Sequence, residues 1–394
     1  MRYLLIIIFI TIAPFMNAQK VLVGIFYDLP LRTIVFAPVE GTYSIKCDNI
    51  YKTSIDYHYS VKIYPQGDSL VIVFHDGKKL LVNEIRITSE NKYAYFRLGH
   101  NIKPTNFRQY DDGIILKNRF GNLLLINEVD MNDYLCGVIE KEAGKKKHPE
   151  YYKTQAVLCM TYWAKARPNH VLEGFELCDG VHCQAYMGKS SAVPAIINAV
   201  ASTEGLIACD TSGMPVTAVF HSNCGGETEA AENVWSSSRP YLKPVKDPYC
   251  TSSPNASWTK SVSGDEWIKY LKANGFRTDS IKDLSEYGFV QENRTKYYKV
   301  KNDSIPFVKL RNELKLKSSF FSVTTGEGKI TLYGRGYGHG VGMCQEGAMQ
   351  MAKKGKDFEE ILHFYFTGVE LKSITETEVF YKQKEQLIIN NNEN

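Results

Sequence analysis

The chain has 394 residues, a formal net charge of +4 and 9 cysteines. That length exceeds one small domain, and supports two units or one large unit with insertions. The charge is too small to argue for nucleic acid, and mild basicity suits an anionic wall polymer without singling one out. An odd number of cysteines leaves at least one outside any intramolecular disulfide, with disulfides, a metal site and buried thiols all open as readings.

Arg2 gives a short positive start, Leu4 to Phe15 is apolar and uncharged, and Asn17-Ala18-Gln19 offers a small residue for cleavage after Ala18. The run falls short of the roughly 20 apolar residues of a spanning helix, so 1–18 reads as a signal peptide. An uncleaved membrane anchor is the alternative. No Cys follows the run to carry a lipid, and no second long apolar stretch appears. The expected location is outside the cytoplasm, in the periplasm or the cell-wall space.

A β-rich unit is expected over 19–120. Val21 to Phe26, Leu70 to Phe74 and Ile114 to Leu116 are short apolar runs, separated by turn signals such as Pro65-Gln66-Gly67-Asp68 and Asp76-Gly77. The character then changes. Asn132 or Asp133 can cap a helix through Tyr134, Leu135, Val138 and Ile139. A second helix pattern runs from Glu150 to about Ala166 and stops at Pro168, and a third follows Pro194 and closes at Gly205. Strand patterns return at Leu206 to Cys209 and Val216 to Phe220. The stretch from about 250 to 325 is polar and reads as an insertion with a helix near Asp265 to Leu271. Gly334 to Gly347 is Gly-rich, a last helix runs from about Phe358 to Phe366, and the tail 373–394 ends in a polar, disordered run. The fold class expected is α+β, with a mixed α/β domain over 121–372 after the β-rich unit.

Chemistry concentrates in a few segments. Glu142 lies four residues after Val138 and three after Ile139, so a continuous helix places it on the apolar face. There burial would raise its pKa, as a general acid near neutral pH requires. The plainer reading is a solvated charge at a helix end. Glu140 points elsewhere. His170, Cys178, His182 and Cys183 supply nitrogen and sulfur donors of the kind zinc takes; a Cys178–Cys183 disulfide is the competing reading. Two loops carry histidine, His221-Ser222-Asn223-Cys224-Gly225-Gly226 and Gly336-Tyr337-Gly338-His339-Gly340-Val341-Gly342-Met343-Cys344-Gln345. Their glycines suit close backbone approach to a ligand or positive φ, or simply tight turns. No Lys-Ser/Thr completes a phosphate loop, and no GxSxG elbow surrounds Ser222.

Several motifs in one order resemble the SpoIID family, which includes the LytB-type amidase enhancers. They are Tyr134…Gly137-Val138-Ile139…Glu142, Lys153-Thr154-Gln155-Ala156-Val157, His182-Cys183-Gln184-Ala185-Tyr186-Met187-Gly188, and Ala199-Val200…Thr203-Glu204-Gly205. Phe220-His221-Ser222…Cys224-Gly225-Gly226 and Gly336 through Ala348 complete the set. The resemblance implies a lytic transglycosylase acting on peptidoglycan glycan strands already stripped of stem peptides, with an amidase acting upstream. It puts the catalytic acid at Glu142, His182 near the reaction centre, and a structural zinc on His170, Cys178 and Cys183. Gln184, Tyr186, His221, Ser222, His339 and Gln345 are the residues expected to bind substrate. Two departures stand out: Ala143-Gly144 replaces the family's usual Met-Pro, and Cys159-Met160 stands where the second helix commonly has Arg. The other function classes are a wall-binding module that stimulates a separate amidase, which would not need Glu142, and a metal-dependent hydrolase using His221 and His339.

Overall fold

The computed structural model describes residues 19–377 apart from 101, 103–106, 236, 281 and 282. The expected signal peptide, 1–18, and the polar end of the tail, 378–394, lie outside the described residues. Among the described residues no helix is long and apolar enough to cross a membrane. The fold is α+β, and it divides into two compact units. The first runs to Tyr134 and takes in Leu172–His182 and Tyr186–Lys189; the second holds Leu135–Val171, Cys183–Ala185 and the chain from Ser190 on.

The first unit is built from strands β1 (Lys20–Ile25), β2 (Ile34–Glu40), β3 (Tyr43–Cys47), β4 (Tyr51–Ile55), β5 (Val61–Gln66) and β6 (Ser69–Val73). It continues with β7 (Lys79–Val82), β8 (Glu84–Ser89), β9 (Tyr95–His100), β10 (Arg108–Asp111), β11 (Gly113–Arg119), β12 (Asn122–Asp130) and β13 (Leu177–Cys178). One sheet has the order β13-β1-β12-β11-β8-β3-β4 and the other β10-β9-β2-β5-β6-β7. All neighbours are antiparallel except β1 and β13. Alternation makes the sheets: in β8, Ile85 and Ile87 are fully buried while Arg86 between them is partly exposed. The sheets meet through rings such as Phe36 of β2 and Tyr43 of β3, 5.3 Å apart at their centroids.

Helix α1 (Met131–Ala143) follows β12 directly. It starts earlier than an Asn132 or Asp133 cap would allow. The β1–β12 ladder ends at Asp130, and the Asp130 carboxylate accepts from the Asn132 N–H at 2.9 Å, so Asp130 does the capping. In the second unit, α2 (Pro149–Ala166) has Pro in its first turn and His148 as cap. Its Tyr151, Tyr152, Leu158, Cys159 and Trp163 are fully buried, because α3 (Pro194–Ser202) packs along it and β14 (Leu206–Cys209) bonds to it through Thr161. The strand expected over Val216 to Phe220 shrinks to β15 (Phe220–His221). Val216 and Ala218 are buried, but Val219 N–H folds back to Thr217 O at 3.0 Å, and no ladder forms there. Helix α4 (Ala231–Trp235) follows.

Residues 257–335 build a part with its own core. Strands β16 (Ser257–Ser263), β19 (Phe321–Gly326) and β20 (Lys329–Arg335) form a sheet with β20 central. Helix α5 (Gly264–Ala273), the hairpin β17 (Tyr297–Val300) and β18 (Asp303–Pro306), and α6 (Phe307–Glu313) accompany it. Trp258, Trp267, Tyr298, Phe307 and Leu332 fill the centre, and a reciprocal Ser263–Glu266 capping box starts α5. Last come β21 (Met343–Cys344), α7 (Gln345–Lys353), α8 (Phe358–Tyr365) and β22 (Glu370–Ser373). The Gly-rich stretch therefore is not one loop: its last residues enter α7, with Cys344 Sγ as the cap.

Candidate functional site

Glu142 sits in the last turn of α1 and is half-buried. Its Oε1 accepts from the Ala185 N–H at 3.2 Å, and the Gln345 side-chain amide reaches its backbone O at 3.4 Å. Burial raises its pKa, against smaller opposing effects of the Ala185 N–H and Lys141. Glu140, two residues away, behaves oppositely. Burial would raise it, but the Ser191 N–H, the Ser190 and Ser191 hydroxyls and Lys145 together lower it. Two carboxyls on one helix thus hold different protonation states over a shared pH range, which is how acid and anchor are told apart.

The departures from the family pattern acquire a local account. Gly144 takes φ +71° and ends α1 in a left-handed turn, where a glycine costs nothing. The Tyr152 hydroxyl donates to Gly144 O at 2.8 Å and accepts from Lys147 N–H at 3.0 Å, fixing that turn. Cys159 is a fully buried thiol whose pKa is pushed up by burial and then by the nearby Glu142 charge. A neutral thiol there adds nothing to the lowering by the Ala185 N–H and Lys141.

All nine cysteines stand as thiols, so no Cys178–Cys183 bond is present. In the first unit Cys178 Sγ lies 3.8 Å from His182 Nδ1, and in the second Cys183 Sγ lies 3.5 Å from His170 Nε2. His182 is exposed and paired with a sulfur. Thiol and imidazole are the donors zinc prefers, and the ligand chemistry fits that ion.

Tyr186, expected to touch substrate, is instead a core residue of the first unit. It is 0% exposed, and its hydroxyl donates to Asn127 Oδ1 at 2.9 Å. Asn127 spends its amide on Asp111 O and Gly113 O, tying β10 to β11. Tyr186→Phe should therefore destabilise the protein by about 1–3 kcal/mol, because a buried amide oxygen loses its donor; denaturant melts of both proteins measure this.

His221 and His339 come together, ring centroids 5.4 Å apart. His221 Nδ1 donates to Val341 O at 3.1 Å, while Nε2 is buried with no hydrogen-bond partner among the described residues. Both nitrogens of His339 are engaged by backbone, at Phe220 O and Val341 N–H. Burial lowers the pKa of both, His339 to about 4, so both are neutral at pH 7. The glycines serve approach of the two loops to each other. Asn223 and Tyr337 exchange backbone bonds of 2.8 and 3.0 Å, and a Cβ on Gly336 would stand 2.5 Å from Asn223 O. Gln184 and Gln345 are buried and Ser222 is half-buried.

Sequence reasoning missed three features. Ala185 holds Glu142 through its backbone, which no side-chain motif announces. Trp235 is 43% exposed with its ring 5.2 Å from that of His339. Cys224, Asp247, Cys250 and Cys344 gather in the second unit; the recurrence of Cys in both glycine loops was the available signal.

Residues 119–209 match a family model, SpoIID, described as stage II sporulation protein. An uncharacterized protein of Brachyspira hyodysenteriae is 28% identical over 84% of this chain and 90% of its own length. Stage II sporulation protein D of Bacillus amyloliquefaciens is 31% identical over 62% of this chain and 75% of its own length. An amidase enhancer of Bacillus subtilis is 31% identical, over 61% of this chain and 40% of its own length.

Proposed function

Because this chain belongs to the SpoIID family, we propose that it works on the bacterial cell wall as a lytic transglycosylase with Glu142 as its acid and base. The observation that carries this reading is the half-buried carboxyl of Glu142, raised in pKa and oriented by the Ala185 N–H. Protonated Glu142 donates to the glycosidic oxygen between N-acetylmuramic acid and N-acetylglucosamine, breaking the bond to the muramyl C1. The muramyl C6 hydroxyl attacks the oxocarbenium-like C1, and the same carboxylate takes the hydroxyl proton. The product ends in a 1,6-anhydro ring, and no water is consumed. A two-carboxylate hydrolysis would need a second base; Glu140 is held by serines and Lys145 for another task.

The other roles are part of the same proposal. His170 and Cys183 pair at the start of the Gln184-Ala185 segment, and the zinc expected on His170, Cys178 and Cys183 needs a fourth protein donor to close it against water. His182, paired with Cys178, suits that ligand set better than the reaction centre. His221 Nε2, Ser222, Gln184 and Gln345 remain candidates to bind sugar hydroxyls and N-acetyl groups, with peptide-stripped strands supplied by an amidase. An exported protein would meet this substrate in the periplasm or wall space. Trp235 offers a flat apolar face for a sugar ring. Trp235→Ala should raise the KM for glycan several-fold with kcat and melting temperature nearly unchanged; an unchanged KM would remove Trp235 from the groove.

The decisive experiment is digestion of amidase-stripped glycan by the purified protein and its Glu142→Gln variant, with products weighed. Anhydro-muramyl ends from the parent alone support the proposal, and reducing ends would replace it with hydrolysis. The relative named as an amidase enhancer favours a second reading, a wall-binding stimulator of an amidase. Glycan binding without cleavage by either protein would select it.

A further inference from the structure

Cys224, Asp247, Cys250 and Cys344 are all buried in the second unit, and one donor atom of each lies within 4.8 Å of the others. Cys224 Sγ is 3.3 Å from Cys250 Sγ and 3.2 Å from Asp247 Oδ2. They come from separate stretches of chain: the loop after β15, the turn at 247–250, and the cap of α7. The transglycosylase chemistry uses none of them. We propose that these four side chains form a metal site of their own, taking zinc in a closed Cys3Asp set that clamps the two glycine loops together.

The surroundings are built for anionic sulfur. Cys344 Sγ accepts from Cys224 N–H at 3.2 Å and from Gly347 N–H at 3.3 Å, the second at the N-terminus of a helix, where negative charge is favoured. Asp247 is anchored at Oδ1 by the Tyr249 N–H at 2.8 Å and at Oδ2 by the Tyr365 hydroxyl at 2.9 Å, so its carboxylate faces the sulfurs. Gly347 leaves room for this: a Cβ there would run into the Asp247 carboxylate and the Tyr365 hydroxyl. Zinc–sulfur bonds of about 2.3 Å put tetrahedral donors about 3.8 Å apart, within reach of this cluster by small side-chain rotations. Binding releases the thiol protons to water, and four protein donors leave no position for substrate, so the ion is structural. A Cys224–Cys250 disulfide is the rival. It would use only two of the four side chains and give no role to the convergence of Cys344 and Asp247 on them.

The clamp bears on the Glu142 site through geometry. Cys344 precedes Gln345, whose amide reaches Glu142 O, and β15 pairs with β21 at His221 and Cys344. Zinc counting needs no glycan, so its result stands whatever the digestion experiment gives.

The test is zinc per chain, by plasma mass spectrometry after dialysis against a weak chelator, for the parent, Cys344→Ser, Cys250→Ser and Cys183→Ser. The proposal expects Cys344→Ser and Cys250→Ser each to carry one zinc fewer than the parent, and Cys183→Ser to keep this ion. Equal zinc in the parent and in both Cys344→Ser and Cys250→Ser overturns it. If those variants do not fold, the parent decides. Stripping its zinc should speed alkylation of Cys224, Cys250 and Cys344 by about tenfold or more, and unchanged rates overturn the proposal. An unreduced chain lighter by two hydrogens, with Cys224 and Cys250 refractory to alkylation after unfolding, also overturns it in favour of the disulfide.

Discussion

Glu142→Gln should lower the rate of anhydro-muramyl end formation by about 10² to 10⁴-fold, the usual worth of a single general acid. The fold should survive, since the amide oxygen can still accept the Ala185 N–H that now bonds Oε1 at 3.2 Å. The pH dependence has a definite sign. Burial raises the Glu142 pKa in the folded protein, so the native state keeps a proton that the unfolded chain has already lost. Activity that needs the protonated acid falls as pH rises through that raised value. Stability falls over the same interval, starting from the ordinary glutamate range, because the native state then binds more protons than the unfolded one. Glu142→Gln removes that cost. The variant should melt above the parent at neutral pH and together with it in acid, where both states are protonated. A variant less stable than the parent at neutral pH would mean that the carboxylate is a structural anchor, as Glu140 is.

Gly336→Ala should strongly destabilise the second unit. Gly336 sits at φ +79°, a left-handed conformation that costs an L-residue about 1–2 kcal/mol. The new Cβ would also stand 2.5 Å from Asn223 O and 2.8 Å from Gly225 N, both backbone atoms with no rotamer to escape into. Together these should destabilise the unit by about 3 kcal/mol or more, a fall of roughly 6–12 °C in Tm at the scaling for domains of this size. Gly355→Ala is the control. It shares a positive φ of +84° but has nothing within 4 Å of its Cβ position, so it should show the conformational cost alone. Equal melting of the two variants would show that the loops separate readily, and would remove the close crossing as the device that holds His221 beside His339.

Local patterns made much of this molecule legible. The short apolar runs of β1, β6 and β11 and the Pro149 and Pro194 helix starts depend on neighbours in sequence, and the residue types alone specify them. The side of α1 on which Glu142 falls was equally readable, because four residues bring a side chain back to one face. Whether that face ends in solvent or against a neighbour was not. The answer lies in Ala185 and Gln345, 43 and 203 residues further on.

Tyr186 shows the opposite case. Its place in one motif with Gln184 suggested contact with substrate, yet its ring is fully buried in the first unit, where its hydroxyl donates to Asn127. The glycines of 336–342 announced positive φ but not the partner that needs the space, which is the backbone of residues 219–225. Composition, periodicity and caps determined most of the elements, their class and the helix face that carries Glu142, because each is settled within a few turns or strands of chain. Only the tertiary structure decided the upward shift of the Glu142 pKa, the burial of Tyr186 and the gathering of Cys224, Asp247, Cys250 and Cys344. Desolvation and donor convergence are set by residues that lie from tens to more than a hundred positions apart, and no local pattern encodes them.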